Sequence, residues 1–302
     1  MGSNIAEVHF NKGLKNIKKG NNDLAIADFT KAIELKSDYA EAYSHRGMVY
    51  FNLNDYDKAL IDINSAIKLK PNFAEAYYNR GVVYYSYDEH HKSIRNFNKA
   101  IKIKPDYAEA YWHCGHCYVV MNSVLGDNFR EDYHKKAIKY YTKAIEVKPD
   151  FAEAYYYRGQ CNDFPGNYEN AIEDYTKAIE LKLEDKADAY HQRGLAYVEL
   201  GEYEKAIKDF SKTNAYSDRG LVYFKQGKIQ KSIEDHTKAL KSEPYFVNTY
   251  FYRGLAYAEL KDFIRAIEDY NKAIEKRLNF PVVHFSRGLG QFSTGINNYL
   301  IL

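Results

Sequence analysis

The chain has 302 residues, with 43 basic and 41 acidic side chains and a formal charge of +2. That balance argues against an electrostatic nucleic-acid binder, and no 18-residue apolar run is present to cross a membrane. Aromatic residues make up 16% of the chain, 31 Tyr among them, and three cysteines (Cys114, Cys117, Cys161) form no even-numbered disulfide framework, so a reducing, cytoplasmic location is expected.

The opening MGSNIAEVHF lacks the apolar stretch of a secretory leader, and Ala6 stands where a myristoylation signal needs Ser or Thr. From Ala6 the text repeats. Nine glycines, Gly13, Gly47, Gly81, Gly115, Gly159, Gly194, Gly220, Gly254 and Gly288, are spaced by 34, 34, 34, 44, 35, 26, 34 and 34 residues. With Ala6 as position 1, units begin at Ala6, Ala40, Ala74, Ala108, Ala152, Ala187, Thr213, Val247 and Pro281. Apolar or aromatic residues at positions 4, 8 and 11 share one helix face and predict a first helix over about positions 2–14. Small residues at 20 and 27 with a large one at 24 predict a second over about 17–30. In the second unit these are Tyr43, Gly47 and Tyr50 against Ala59, Ile63 and Ala66.

A glycine inside a helix costs about 1 kcal/mol relative to Ala. Its return at every position 8 predicts close approach to the small residue at 20, with rings at 4, 11 and 24 filling the space beside it. Gly20, Gly166, Gly201 and Gly227 at position 15 suit a left-handed helix end, and Pro71, Pro105, Pro149 and Pro244 stop the second helix. Arg precedes the glycine at Arg46, Arg80, Arg158, Arg193, Arg219, Arg253 and Arg287, while position 23 is Asp28, Asp62, Asp174, Asp209, Asp235 and Asp269. The pair reads as a structural ladder of charges between helices, absent together in the fourth unit, which has Cys114 and Tyr140.

The irregularities follow in order. The fourth unit carries ten extra residues, Asn122–Glu131, expected as a turn between its helices. The fifth has one extra residue near Asp185, and the sixth is short by eight, which predicts a kink or change of superhelical rise near Lys212–Ala215. The ninth supplies a first helix only, then GINNYLIL, with Leu300 and Ile301 where another helix would begin.

A unit of this length and pattern, complete in Ala74–Tyr107, resembles the tetratricopeptide repeat (TPR) family, and the resemblance runs from Ala6 to about Leu302. It implies an all-α fold, a right-handed α-solenoid of helix-turn-helix TPR units with eight full repeats plus a terminal helix, forming a single solenoid over residues 1–302. It also implies that positions 2, 5, 6, 9 and 12 of each first helix line a concave groove. A non-catalytic protein–protein interaction scaffold, binding a peptide segment or partner protein there, is the expected function. The implied contact residues are His45, Glu75, Tyr78, Asn79, Glu109, Trp112, His113, His116, Tyr156, Tyr157, Gln192, Phe251 and Tyr252. These positions vary between units where packing positions recur, and rings beside amides suit an extended peptide. Position 2 is mostly acidic (Glu41, Glu75, Glu109, Glu153, Asp188), so a basic or neutral-polar ligand is expected. Chaperone-binding relatives grip an Hsp70/Hsp90 carboxylate tail with Lys, Asn and Arg at places that here hold Phe10, Leu14, His45, Glu75 and Asn79. That partner is not expected.

WHCGHC, Trp112 to Cys117, contains a C-x-x-C, but a redox motif belongs at a helix N-terminus after a strand, and this one lies mid-helix in register. Cys117 takes position 10, held elsewhere by Val49 and Val83, so core packing is expected. The alternative is a metal or thiol-redox sensor centred on Cys114 and Cys117, with Cys161 and His116 as further ligands. A regulatory TPR part of a larger complex is another alternative. Catalytic triads, paired acid/base carboxylates, phosphate-cradling loops and H-E-x-x-H are all missing, so no enzyme activity and no cofactor are expected.

Overall fold

A computed structural model of the chain describes residues 2–125, 130–163, 166–276 and 281–294, which contain seventeen helices and no strand. Contacts cluster into two compact units, Met1–Pro165 and Gly166–Leu302. The first unit holds α1 (Gly2–Lys18), α2 (Asn22–Leu35), α3 (Ala40–Asn52), α4 (Tyr56–Leu69), α5 (Ala74–Ser86), α6 (His90–Ile103), α7 (Ala108–Leu125), α8 (Arg130–Val147) and α9 (Ala152–Asp163). The second holds α10 (Tyr168–Glu180), α11 (Lys186–Glu199), α12 (Tyr203–Thr213), α13 (Tyr216–Lys225), α14 (Ile229–Ser242), α15 (Val247–Glu259), α16 (Phe263–Glu275) and α17 (Pro281–Thr294). Within each unit helices pack as antiparallel hairpins, and the second helix of one hairpin packs on the first helix of the next.

The periodicity explains the packing. Helix α5 puts Gly81 against α6, and a Cβ there would fall 2.5 Å from Phe97 Cε1. Position 24 therefore lies flat on the glycine, closer than the sequence pattern suggests, while the carbonyl of position 20 stands further off (Ala59 O at 3.1 Å from the same point at Gly47). Phe29, Phe97, Tyr141, Phe210 and Tyr270 at position 24 are buried by this contact. Among the described residues, first helices end in a left-handed residue at position 15 in every repeat but the fourth, where Asn122 stays helical. Glycine takes it at Gly20, Gly166, Gly201 and Gly227, but Asn54, Asp88 and Lys261 adopt φ of 61, 58 and 60°.

The Arg–Asp ladder is bidentate. Arg193 donates from Nε and Nη2 to Asp209 at 2.7 and 2.9 Å, and Arg46–Asp62, Arg219–Asp235 and Arg253–Asp269 repeat the geometry. Both partners are largely out of solvent, the Asp209 side chain being 5% exposed. The third guanidinium nitrogen reaches back one repeat: Nη1 donates to Thr30, Asn64, Thr142, Thr176, Ser211, Thr237 and Asn271 from Arg46, Arg80, Arg158, Arg193, Arg219, Arg253 and Arg287. One side chain thus ties both helices of its own hairpin to the hairpin before. In the fourth repeat, where the Arg is Cys114, the hydroxyl of Tyr140 donates instead to Asn98, the matching acceptor of the third.

The insertion differs from the turn expected. Asn122–Leu125 continue α7 and Arg130–Glu131 open α8, so both helices reach 18 residues; residues 126–129 lie outside the described residues. Asn122 Nδ2 and His134 Nε2 face each other across the pair at 3.1 Å. At the shortened repeat α12 stops at Thr213, Asn214 turns left-handed at φ 55°, and α13 starts at Tyr216. Leu300 and Ile301 lie outside the described residues.

Candidate functional site

Helices α3, α5, α7 and α9 carry the expected contact residues of the first unit. At one end His45 packs between Phe10 and Phe29, with ring centroids at 5.4 and 5.9 Å. Burial lowers its pKa, against the opposing pull of Glu75 and Glu41, so the ring is held neutral. Glu75 lies 3.8 Å from its Nε2. Glu41 and Glu109 are paired with Lys70 at 2.6 Å and Lys148 at 3.4 Å. Asn79 is buried and donates to Ser44 Oγ at 3.0 Å, so its amide joins α5 to α3.

The centre is a ring cluster on α5, α7 and α9. Tyr78 touches Phe97, Tyr107 and His113, the last at 5.4 Å, and burial followed by Glu109 pushes its pKa up to about 12. His113 stacks on Phe97 at 5.2 Å, and burial with His116 nearby lowers its pKa to about 4. Trp112 stacks on His116 at 5.1 Å and 9°, and Tyr157 meets both edge-on at 5.6 and 5.0 Å. Trp112 Nε1, His113 Nδ1 and His116 Nδ1 are buried without a hydrogen-bond partner. The rings of Trp112, His113, His116, Tyr78 and Tyr157 nevertheless keep part of their surface in water, whereas Tyr156 is 8% exposed, accepts from Gln160 Nε2 at 2.7 Å and backs Tyr157. Tyr85, at position 12, joins the cluster beside His116 at 5.8 Å, and His90 joins through Tyr85. The register marks Tyr85; nothing in the sequence marks His90.

The second unit carries three of the expected residues. Phe251 and Tyr252 lie side by side on α15, Phe251 against Tyr270 and Tyr252 near His236. Gln192 on α11 is half-buried. Its neighbour His191 contacts Asp218 of α13 at 3.0 Å, which raises its pKa.

The three cysteines are free and buried. Burial pushes the Cys117 and Cys161 thiols up to about 12, and raises Cys114 as well. A thiol held protonated is a poor nucleophile. Cys114 and Cys117 pack with Ile94, Phe97, Ala100 and Ala110. Among the described residues no three His, Cys, Asp or Glu side chains are grouped to hold a metal, and no helix is long and apolar enough to cross a membrane.

Helix hairpins of this pattern, stitched by a recurring Arg and opened by a recurring Gly, define a helical repeat scaffold. The chain belongs to the tetratricopeptide repeat family: profiles described as TPR repeat match residues 13–54, 47–87 and 166–201. Profiles described as tetratricopeptide repeat match 74–107, 129–151, 188–219, 213–246 and 247–280. No curated protein matches the chain in sequence. Among solved structures, PilF of Pseudomonas aeruginosa superposes with a TM-score of 0.63 at 14% identity, covering 75% of this chain and 98% of its own. A tetratricopeptide repeat protein from Parabacteroides merdae gives 0.52 at 19% identity, covering 95% and 99%. YrrB, described as a TPR protein with an unusual peptide-binding site, gives 0.51 at 24% identity, covering 66% and 97%. These likenesses show the fold, a TPR scaffold.

Proposed function

We propose that the chain is a non-catalytic scaffold that binds a peptide segment of a partner protein, and that the first unit offers the contact face around Tyr78, Trp112, His113, His116 and Tyr157. The observation that carries this reading is the ring cluster itself: five partly exposed rings are fixed by helix packing, and Trp112–His116–Tyr157 form a joined set within 5.6 Å of one another. Rigid rings offer contact area at small entropic cost, and neutral imidazoles add hydrogen-bonding capacity without a charge to desolvate. Glu75, lacking a cationic neighbour in His45, and Glu109 favour a basic or neutral-polar segment. YrrB carries a peptide-binding site on a fold of the same kind, which supports the ligand class.

Selection of displayed random peptides on the full chain tests the reading. Selected peptides should bind Trp112→Ala at least ~10-fold more weakly, about 1.4 kcal/mol or more. If basic residues are enriched among them, Glu75→Lys with Glu109→Lys should weaken them by a similar factor while leaving Tm within a few degrees, since both carboxylates are surface groups. Undiminished binding by Trp112→Ala would exclude this face.

A further inference from the structure

The third repeat breaks the ladder in a way that leaves positive charge unmatched. Where the second, sixth, seventh and eighth repeats place Asp62, Asp209, Asp235 and Asp269, it has Asn96. Asn96 Oδ1 accepts from Arg80 Nε at 2.8 Å, and its Nδ2 donates to the Lys92 carbonyl at 2.8 Å, which fixes the amide's orientation. The second carboxylate oxygen that meets Nη2 in the other repeats, as Asp62 Oδ1 meets Arg46 Nη2 at 2.8 Å, has no counterpart here. At the next position back, where the seventh and eighth repeats have Glu234 and Glu268, the third has Arg95.

The result is a cleft of about 420 Å³ between α5 and α6, lined by Arg80, Lys92, Arg95 and Lys99 with Tyr77, Tyr84 and Asn96, and without a carboxylate in its wall. Tyr77 sits beneath the Arg80 guanidinium at 5.4 Å and the Lys99 ammonium at 5.7 Å, and Tyr84 beneath Lys92 at 5.5 Å. Glu89 binds Lys92 at 2.9 Å. With Lys92 matched by Glu89, the like charges of Arg80, Arg95 and Lys99 share one cleft with no carboxylate bound to them among the described residues, an arrangement that an anion relieves, and an Arg fork matches a tetrahedral oxyanion. Tyr77, Arg80 and Tyr84 form one stripe of α5, and Tyr78 and Tyr85 lie one residue on, about 100° round the helix. The cleft is therefore separate from the ring cluster, and its reading does not depend on peptide binding there.

We propose that this cleft is a binding site for a phosphate-class oxyanion, with Arg80, Arg95 and Lys99 as its principal contacts. The ligand is either the free ion or a phosphate monoester carried on a side chain of a bound segment, since both present the same oxygens.

Titration calorimetry of the full chain at constant ionic strength, with inorganic phosphate and with a phosphoserine peptide and its unphosphorylated twin, tests it. Saturable binding of phosphate, or of the phosphopeptide but not its twin, is expected. Tighter binding of the phosphopeptide identifies a modified segment as the source, and equal binding the free ion. Asn96→Asp restores the carboxylate that six other repeats carry at this position, so it should fold, and it should weaken the interaction at least ~10-fold by neutralising Arg80. Arg95→Glu should do the same from the other side. Absence of saturable binding by either phosphate probe, or equal binding in both variants, overturns the proposal. Peptide binding that depends on Trp112 should be unaffected by either substitution.

Discussion

Arg193 and Asp209 illustrate how much one pair does. The sequence pattern reads them as a partly exposed rung, a type of contact that contributes about 0.2–1 kcal/mol. In the structure the carboxylate is 5% exposed and the guanidinium 14%, so removing one partner strands the other without water. Asp209→Ala is therefore expected to cost about 3–5 kcal/mol in chemical denaturation, whereas Lys177→Ala, which breaks the exposed pair with Glu180, should stay within about 0.5 kcal/mol. The pairing was legible because both residues recur at fixed positions. The reach of Nη1 to position 25 was not, because Thr30, Asn64, Ser211 and Asn271 differ in type and share only a side-chain oxygen facing the next hairpin. Nor was the burial of Asn79: an amide on the expected contact face reads as a peptide ligand, and its partner Ser44 sits 35 residues earlier.

At the scale of the helices, the glycine beat and the prolines place almost every boundary. Helices α3 and α4 begin and end within one residue of positions 2–14 and 17–30. The position-15 turn is legible too, since four repeats use glycine there. Lys261 takes the same left-handed conformation at φ 60°. A side chain in that region costs roughly 1–2 kcal/mol, offset in part by the greater freedom of glycine in the unfolded chain. Lys261→Gly should thus stabilise the second unit by about 0.5–1 kcal/mol, read as a higher denaturation midpoint with an unchanged m-value. The insertion in the fourth repeat was the least legible element. Ten residues out of register look like a turn, but Asn122–Leu125 and Arg130–Glu131 propagate the helices they adjoin. Extending an existing helix adds a hydrogen bond for each residue fixed, without a new nucleation step.

Across the whole molecule, burial acts on five of the imidazoles in the same direction. Burial lowers the pKa of His45, His90, His113, His116 and His236, two of them to about 4. His236 is the extreme case: it occupies a position-24 ring site, is fully buried, and has neither ring nitrogen bonded, with Asp235, Asp218 and Arg253 the charged groups acting on it. An unfolded His takes up its proton near pH 6.5, and folded His236 only near 4, so its contribution to stability falls as pH drops from 6.5 to 4 and is level below that. The loss from such a group is at most about 3 kcal/mol. His191 opposes the trend: its pKa is raised by Asp218, so its contribution is complete below pH 6.5 and fades as pH rises through the elevated value. His236→Phe, the residue type at Phe210 and Phe97, should remove part of the acid-induced rise in amide exchange across α13–α16 while leaving that across α3–α6 unchanged. Equal acid sensitivity of the variant in α13–α16 would show that this ring does not set it. The family was fully legible in the sequence because period and packing express the same fact. The ring cluster was half legible, since register singles out Trp112 and Tyr157 but not the neutral state of the histidines between them.

The backward-reaching Nη1 bond gives the array a grammar. A joint closes when an Arg follows a unit offering a side-chain oxygen at its position 25, whichever oxygen that is, so most units would dock behind most others. The fourth unit changes only the donor, speaking through Tyr140 to the position-25 oxygen of Asn98. Copying or reshuffling units during descent would therefore leave most seams sound, that of the fourth included.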